Sequence, residues 1–503
     1  MLKLVILSAL SLFIAALLCR TIYLSKRGPQ VAECKSSDSD FIELTDSKLN
    51  KFQEALRFKT VSYDDIDYNK EELGKYVKFI IQNFPHLMNC TFVQWEVVNN
   101  YSLLFTVKGS DSSLKPYLLM GHLDVVPASN LEAWDAPPFS GQILNGFIYG
   151  RGAIDMKHSV MAILEAAEYL VIKGIVPKRS FYIAFGHNEE LFDGSEAYKL
   201  AQEIVKQGVT ELEFISDEGM PLSEGLLPGV SVPVASIGVS EKGSLLMKLS
   251  VHGEPGHSSM PPRESTIGIL ANAVNNLETN LHPSMLGQGV ETDMLEQLVP
   301  EMNIFQRVLM ANIWFFKPLL SWVMSMKPLT SATIRTVTAV TKFQAGIKNN
   351  IIPPHAEAIV NHRIHPSQTV DEVIKFDKSV IADDRVNIEV LNKIEPHPVA
   401  GYGKKDFGFQ VLKTTINQIW PKALVVPAIM LGNTDTRFYL NFTKNVYRFS
   451  PTYMYPGDAA RFHGINERLS IKNYEQAINF FYHLMRNADR ADLVSTHEGH
   501  HDL

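Results

Sequence analysis

Three short strand-like segments in the first half of the chain, the first two almost wholly apolar, each stop at residues that an apolar interior rejects. Residues 117–120 run into Gly121-His122, residues 180–185 into Glu189-Glu190, and residues 213–216 into Asp217-Glu218. Runs of that length bounded by polar residues read as buried strands. Between and after them, residues 159–173 and 196–207 carry the 3.6-residue period of helices. Strand and helix in alternation predict an α/β fold around a largely parallel sheet, whose ligands collect at the carboxyl edge of the strands. That edge is where the acids and the imidazole would gather.

The rest of the chain divides around this unit. Residues 44–58 read as an opening amphipathic helix. From 244 to 252 the pattern changes to the apolar–polar alternation of a half-exposed strand. A helix at 265–277, a strand at 357–363 and a helix at 369–380 then build a small α+β domain inserted into the first. The expected boundaries are 40–243 and 393–487 for the catalytic unit and 244–392 for the inserted domain, with an apolar insertion at 285–345. Within the insertion, residues 312–326 carry Trp314, Phe315, Phe316, Leu319, Leu320 and Trp322, with Lys317 the only charge. Pro318 interrupts a stretch already too short to span a bilayer. It reads either as a hairpin packed into the domain or as a greasy groove for a lipid tail. The helix 406–420, the strand 425–430 and the helix 471–486 return to the catalytic unit. The polar end 488–503, with His497, His500 and His501, reads as a disordered, solvated tail.

A formal charge of -7 excludes nucleic acid as a partner, because phosphate binding needs a basic face. The single long apolar run, residues 4–18 after Lys3, reads as the core of a signal peptide over 1–25, with an uncleaved anchor as the alternative. Export to the extracellular space gives meaning to three glycosylation triplets, at Asn89, Asn100 and Asn441. Beyond Cys19, only Cys34 and Cys90 remain, which admit one bridge or two free thiols. The fold does not rest on disulfides.

The polar strand ends define a chemistry. Carboxylates and imidazoles without thiolate suit zinc in a hydrolytic site. His122 and Asp124 alternate on one strand end, so Asp124 can fix the second nitrogen of a metal-bound His122. Asp155, closing Gly150-Arg151-Gly152-Ala153-Ile154, is the candidate bridge between two cations, which in such hydrolases lie roughly 3.5–4 Å apart. Glu189 and Glu190 are adjacent and point differently, so Glu190 is assigned to metal and Glu189 to the proton. Asp217 and Glu218 compete for one ligand role, with Glu218 favoured. His463, in Arg461-Phe462-His463-Gly464, supplies the last nitrogen.

Gly121-His-Leu-Asp-Val-Val-Pro127, then Trp134 with Pro138-Phe-Ser-Gly141, then Tyr149-Gly-Arg-Gly-Ala-Ile-Asp155-Met-Lys157 resembles the co-catalytic di-zinc aminoacylase/carboxypeptidase family. The resemblance runs from about Leu44 to Arg486. It implies an exopeptidase-type catalytic domain with an inserted domain of lid or dimerisation type, and a homodimer is compatible with it. It implies one zinc on His122, Asp155 and Glu218 and a second on Asp155, Glu190 and His463. Asp124 would orient His122, Glu189 would be the general base, and a cis peptide would follow Asp155. Gly256-His257-Ser258-Ser259 looks like the lid motif whose histidine polarises the scissile carbonyl, and Asn350-Ile-Ile-Pro353 like a second lid motif. Gly432-Asn-Thr-Asp-Thr-Arg437 looks like the loop whose arginine clamps the substrate carboxylate. Within the family, the export signal, Ser240-Glu-Lys-Gly243 and the apolar insertion point to the branch that hydrolyses and forms N-fatty-acyl amino acids, itself similar to fungal Gly-X carboxypeptidases. Fatty acids and amino acids are then the partners, with a lipid or lipoprotein surface as a further one. A secreted dipeptidase or carboxypeptidase without lipid preference, and an inactive lipid or amino acid carrier, are the rival readings. Asn188 before the glutamate pair, and Leu191-Phe192 after it, depart from the family pattern.

Overall fold

The computed structural model describes residues 2–26, 32–64, 67–191, 194–227 and 229–493. Along the chain come α1 (Leu2–Leu24), α2 (Asp46–Arg57), β1 (Val93–Val98), β2 (Ser102–Val107), β3 (Tyr117–His122), α3 (Lys157–Ile172), β4 (Phe181–Gly186), α4 (Ser195–Lys206), β5 (Ile215–Ser223) and β6 (Val234–Glu241). The inserted domain contributes β7 (Gly243–His252), α5 (Thr266–Thr279), α6 (Val290–Gln297), α7 (Ile304–Ala311), α8 (Ile313–Ser325), β8 (Val337–Ala345), β9 (His355–Ile364), α9 (Val370–Ile381) and β10 (Asn387–Ile394). The catalytic unit resumes with α10 (Phe407–Ile419), β11 (Leu424–Met430), β12 (Val446–Met454) and α11 (Ile471–Asn487). The outermost tail, with its three histidines, and Phe192 lie outside the described residues.

The main sheet has the order β11-β6-β12-β5-β3-β4-β2-β1. Its centre is parallel, as expected: β3 runs parallel to both β4 and β5, and β5 to β12. The sheet as a whole is mixed, because β2 is antiparallel to β4 and to β1, and β6 meets β12 antiparallel. Every residue of β3 and β4 is buried, which is why these strands read as unbroken apolar runs. Alternation along β3 divides its side chains between two cores. Tyr117 and Leu119 face the layer containing α3 and α11, while Leu118 and Met120 join Leu200 and Ile204 of α4. With both faces covered, the strand can release its polar residues only at its end.

At Gly243 the chain leaves β6 directly into the antiparallel sheet of the inserted domain, ordered β8-β9-β7-β10. α5 and α9 back this sheet through Leu270, Ala273, Leu277 and Ile381. A capping box fixes the start of α9: the Thr369 hydroxyl accepts from the Glu372 amide and the Glu372 carboxylate accepts from the Thr369 amide. The insertion turns back onto the catalytic sheet, where Leu295 and Leu298 pack with Val234 and Val426 beside the edge strand β11. An edge covered in this way is closed to further pairing.

α7 and α8 meet at 109°. They are not a buried hairpin: Ile313 and Leu320 go inward, whereas Phe305 (81% exposed) and Trp322 (62%) face out with Trp314, Phe315 and Leu319. α1 packs beside them, its Phe13 ring 4.9 Å from that of Phe315 and its Thr21 hydroxyl accepting from the Asn312 amide nitrogen (3.2 Å). With 23 residues it is long and apolar enough to cross a membrane. Cys34 and Cys90 are free thiols, and Asn89, Asn100 and Asn441 are all exposed.

Leu119 lies in the middle of β3 with no exposed surface. Leu119→Ala is expected to lower stability by about 2–5 kcal/mol through lost burial and a residual cavity. A urea titration would register this as a lower midpoint at unchanged slope.

Candidate metal centre

The carboxyl edge of the main sheet places His122 at the end of β3, Glu189 and Glu190 just beyond β4, and Glu218 within β5. Two loops complete the group. One carries Asp155, between Gly150 and α3; the other carries His463, after β12. The His122 Nε2 lies 3.1 Å from Asp155 Oδ1 and 3.4 Å from Glu218 Oε2. The other Asp155 oxygen, Oδ2, lies 3.1 Å from His463 Nε2, which is itself 3.4 Å from Glu190 Oε1. Asp155 therefore faces two imidazoles with two different oxygens, and two ligand groups share it: His122, Asp155 and Glu218, and Asp155, Glu190 and His463. A third grouping links His122 with Glu189 and Glu190.

The donor set fits divalent metal. It combines two imidazoles with three carboxylates, includes no sulfur, and leaves Glu190 Oε1 buried without a hydrogen bond. Repulsion and burial describe the same fit electrostatically. Burial, reinforced by Glu218, holds the Glu189 carboxyl well above the usual range, and burial also raises Glu190 and Glu218. Asp155 goes the other way: hydrogen bonds from His122 and His463 outweigh its burial and hold it far below the usual range. His463, in contact with Asp155 and close to Glu190, is raised to about 10. Burial disfavours charge on His122, yet Glu218, Asp124 and Asp155 raise it well above its ordinary value.

Asp124, with no exposed surface, does more than face His122. The His122 Nδ1 lies 3.0 Å from the Asp124 backbone carbonyl and 3.4 Å from its Oδ1. The same carboxylate accepts from the amides of Glu189 and Glu190 (both 3.2 Å) and from the Ser62 hydroxyl (2.6 Å). One buried acid thus aims an imidazole and fixes the backbone of the glutamate pair.

The Asp155 loop has a comparable anchor that the sequence reading missed. Glu467 accepts from the amides of Ile154 (2.7 Å), Asp155 (3.1 Å) and Gly152 (3.1 Å), and from Arg151 Nη1 (2.6 Å). Arg151 Nη2 donates to the carbonyls of His463 (3.1 Å) and Gly464 (3.0 Å). Gly152 adopts φ +89°, where a side chain would be strained and would meet Val125. The peptide between Asp155 and Met156 is cis.

The remaining expected residues lie on two further elements. Asp217 is buried beside Glu218, and burial pushes it up to about 6. His257 and Asn350 come together on a small ribbon of the lid, where the Ser258 amide donates to the Asn350 carbonyl (3.2 Å). Neither hydrogen-bonds to the metal-binding group; the His257 Nδ1 lies 2.8 Å from the Ser259 hydroxyl. Arg437 stacks on Phe438 (4.8 Å) in the loop after β11. That loop packs against Gly194, where a Cβ would strike the Phe438 ring at 1.9 Å. Asp435, also unforeseen, joins Glu189, Asp217 and Glu218 around a small cavity behind His122, and burial pushes it up to about 7.

A buried carboxylate holds this loop too. Glu241 accepts from the Thr434 amide (3.1 Å) and from the hydroxyls of Thr434 (2.7 Å) and Thr436 (2.9 Å), and pairs with Arg448. Asn433 bridges two parts of the chain, donating to the Lys242 carbonyl (2.7 Å) and accepting from Arg363 of the lid.

Comparison with known proteins places these features in a family. The profile of Peptidase family M20/M25/M40 matches residues 118–487. The N-fatty-acyl-amino acid synthase/hydrolase PM20D1.1 of Danio rerio is 46% identical over 451 residues, covering 90% of this chain and 87% of its own. The PM20D1 enzyme of that name from Homo sapiens is 45% identical over 436 residues, 86% of each chain. Among solved structures, an M20 family metallo-carboxypeptidase from Sulfolobus solfataricus superposes with a TM-score of 0.62 at 19% identity, covering 88% of this chain and all of that one. A dinuclear metal binding peptidase of the M20 family from Bacillus subtilis gives 0.53 at 13% identity, over 87% and 97% of the two chains.

The imidazoles of His122 and His463, the two that could ligate metal, are held above the ordinary 6.5, so in metal-free protein they are protonated at neutral pH. Metal must displace those protons, and affinity is expected to tighten as pH rises through the neutral range. Calorimetric titration with Zn2+ in buffers of differing ionisation enthalpy would read the released protons; uptake of protons would contradict this.

Proposed function

The chain belongs to Peptidase family M20/M25/M40, and from that premise we propose that it is a di-zinc amidohydrolase that cleaves, and in reverse forms, N-fatty-acyl amino acids. The observation that carries the reading is Asp155 presenting separate oxygens to His122 and His463 at equal distance. His122, Asp155 and Glu218 would hold one cation, and Asp155, Glu190 and His463 the other. Glu218 is preferred to Asp217 because its carboxylate reaches His122. When bound, the paired cations supply Lewis-acid polarisation of the scissile carbonyl and ease deprotonation of the attacking water.

The protein side chains supply the rest. Glu189, held above the usual carboxylate range by burial, takes the proton from the attacking water and delivers it to the leaving amine nitrogen. Asp124 keeps His122 and the glutamate pair in register. Arg437 receives the carboxylate of the amino acid, and His257 on the lid steadies charge developing on the acyl oxygen as the lid closes. A catalyst accelerates both directions, so condensation of a fatty acid with an amino acid proceeds at the same centre.

A lipid substrate gives the exposed face of α7 and α8 a role. Phe305, Trp314, Phe315, Leu319 and Trp322, flanked by Phe13 of α1, form an aromatic surface suited to a lipid or lipoprotein interface. The apolar N-terminal segment directs the chain to the secretory route and the extracellular space, where the exposed Asn89, Asn100 and Asn441 receive glycans.

Glu189→Gln is expected to keep two zinc ions per chain while kcat falls by about 10²–10⁴. Metal content and turnover of N-oleoyl-phenylalanine measured together would check it, and near-normal turnover would remove Glu189 as base. Hydrolysis is expected to rise with acyl length at a fixed amino acid. Equal rates for acetyl and oleoyl substrates would favour a dipeptidase without lipid preference.

A further inference from the structure

The lid contains a second convergence of imidazole and carboxylate, in which the proposed reaction has no part. His282 follows α5, His362 lies on β9 and Asp377 on α9, and all three are buried, with 2%, 0% and 0% exposure. The His282 Nε2 is 3.2 Å from Asp377 Oδ1, and the His362 Nε2 is 2.9 Å from Asp377 Oδ2. One of these separations falls within, and the other just below, the 3.1–3.4 Å between candidate ligand atoms of the catalytic cluster. We propose that this cluster is a further metal site, taking one divalent cation through the Nε2 atoms of His282 and His362 and both oxygens of Asp377.

Direction, more than distance, separates this from a hydrogen-bonded triad. Those four atoms are all buried, and none of them makes a hydrogen bond. A proton shared between a ring nitrogen and a carboxylate oxygen would lie along the line joining them, and neither contact has that alignment. Four polar atoms turned to a common dry interior without well-aligned hydrogen bonds lack the compensation that burial demands. A cation at their centre would supply it.

The surroundings suit a metal ligand. The other nitrogen of His362, Nδ1, lies 3.1 Å from the Thr338 hydroxyl on β8, which can accept its N–H hydrogen bond and so allow Nε2 to ligate. The His282 ring packs on Phe376 (4.3 Å), and the Arg335 guanidinium donates to the His282 backbone carbonyl (2.8 Å), which anchors the loop that carries the ring. Two nitrogens and two oxygens in a dry interior select zinc or a similar first-row ion; calcium and magnesium want six or more ligands, mostly oxygen. The three ligands come from a loop, a strand and a helix. Binding would therefore clamp the helical layer of the lid to its sheet, away from the catalytic edge.

Metal counting on the full-length protein tests this. After loading with zinc and desalting, the wild type is expected to carry one more equivalent per chain, by inductively coupled plasma mass spectrometry, than either His362→Phe or Asp377→Asn. Asp377→Asn preserves shape and keeps the test informative if His362→Phe fails to fold. With cobalt in place of zinc, the difference spectrum between wild type and variant should show the visible bands of a four-coordinate site. Equal metal content in all three proteins would overturn the proposal and leave the cluster as a proton-sharing triad. The number remaining in the variants, two if the catalytic reading holds, reports on that reading separately.

Discussion

Two charges that never meet water hold the catalytic edge together. Arg151 and Glu467 are 1% and 0% exposed, lie 2.6 Å apart, and come from opposite ends of the catalytic unit. Glu467 organises three amides of the loop that delivers Asp155, while Arg151 grips the carbonyls of the loop that delivers His463. Removing one partner would leave a buried charge uncompensated, at roughly 3–5 kcal/mol. The larger consequence is geometric. Asp155 can address two imidazoles only if both loops keep their spacing, and this pair sets it.

The same device recurs at each position that chemistry needs. Asp124 gathers His122, Glu189 and Glu190; Glu241 gathers Thr434, Thr436 and Arg448 beneath the loop bearing Asp435 and Arg437. In each case a buried carboxylate accepts several backbone or hydroxyl donors, which leaves the loop few alternatives in a low-dielectric interior. The sheet supplies the platform, but loops carry half of the functional groups. Carboxylates buried beneath those loops make them as specific as strands.

This division explains what the sequence disclosed. Apolar runs that stop at a polar residue are local signals, so β3 and β4 and the polar residues at their ends were readable, as were the helices at 159–173 and 196–207; β5, expected to stop at 216, runs on to Ser223 and carries Asp217 and Glu218 within it. The adjacency of His122 and Asp124 was legible for the same reason, since alternation along a strand is a property of the next residue but one. Arg151–Glu467 was not: the partners are 316 residues apart, and an isolated Glu-Arg-Leu-Ser segment carries no mark of burial. Asp435 was overlooked because a lone acid in a polar loop looks solvated until the fold turns it inward. Residues 312–326 allowed two readings because composition measures apolarity and not the direction a side chain faces. Only packing shows that Ile313 and Leu320 turn in while Trp314 and Trp322 turn out.

The electrostatic pattern of the site follows from the sheet itself. Parallel strands covered on both faces expel polar groups at one edge, so Glu189, Glu190, Glu218 and Asp217 collect there whatever their mutual repulsion. Proximity and burial raise their carboxyls together, which costs folding free energy that nearby Arg437 offsets at Asp435 alone. Two divalent cations relieve that repulsion more completely than any lysine or arginine, because each carries twice the charge and accepts several oxygens at once. The groups that could hold metal are thus the same ones whose carboxyls burial raises. Burial and mutual proximity, which raise these carboxyls, are also what make the edge a fit for divalent cations.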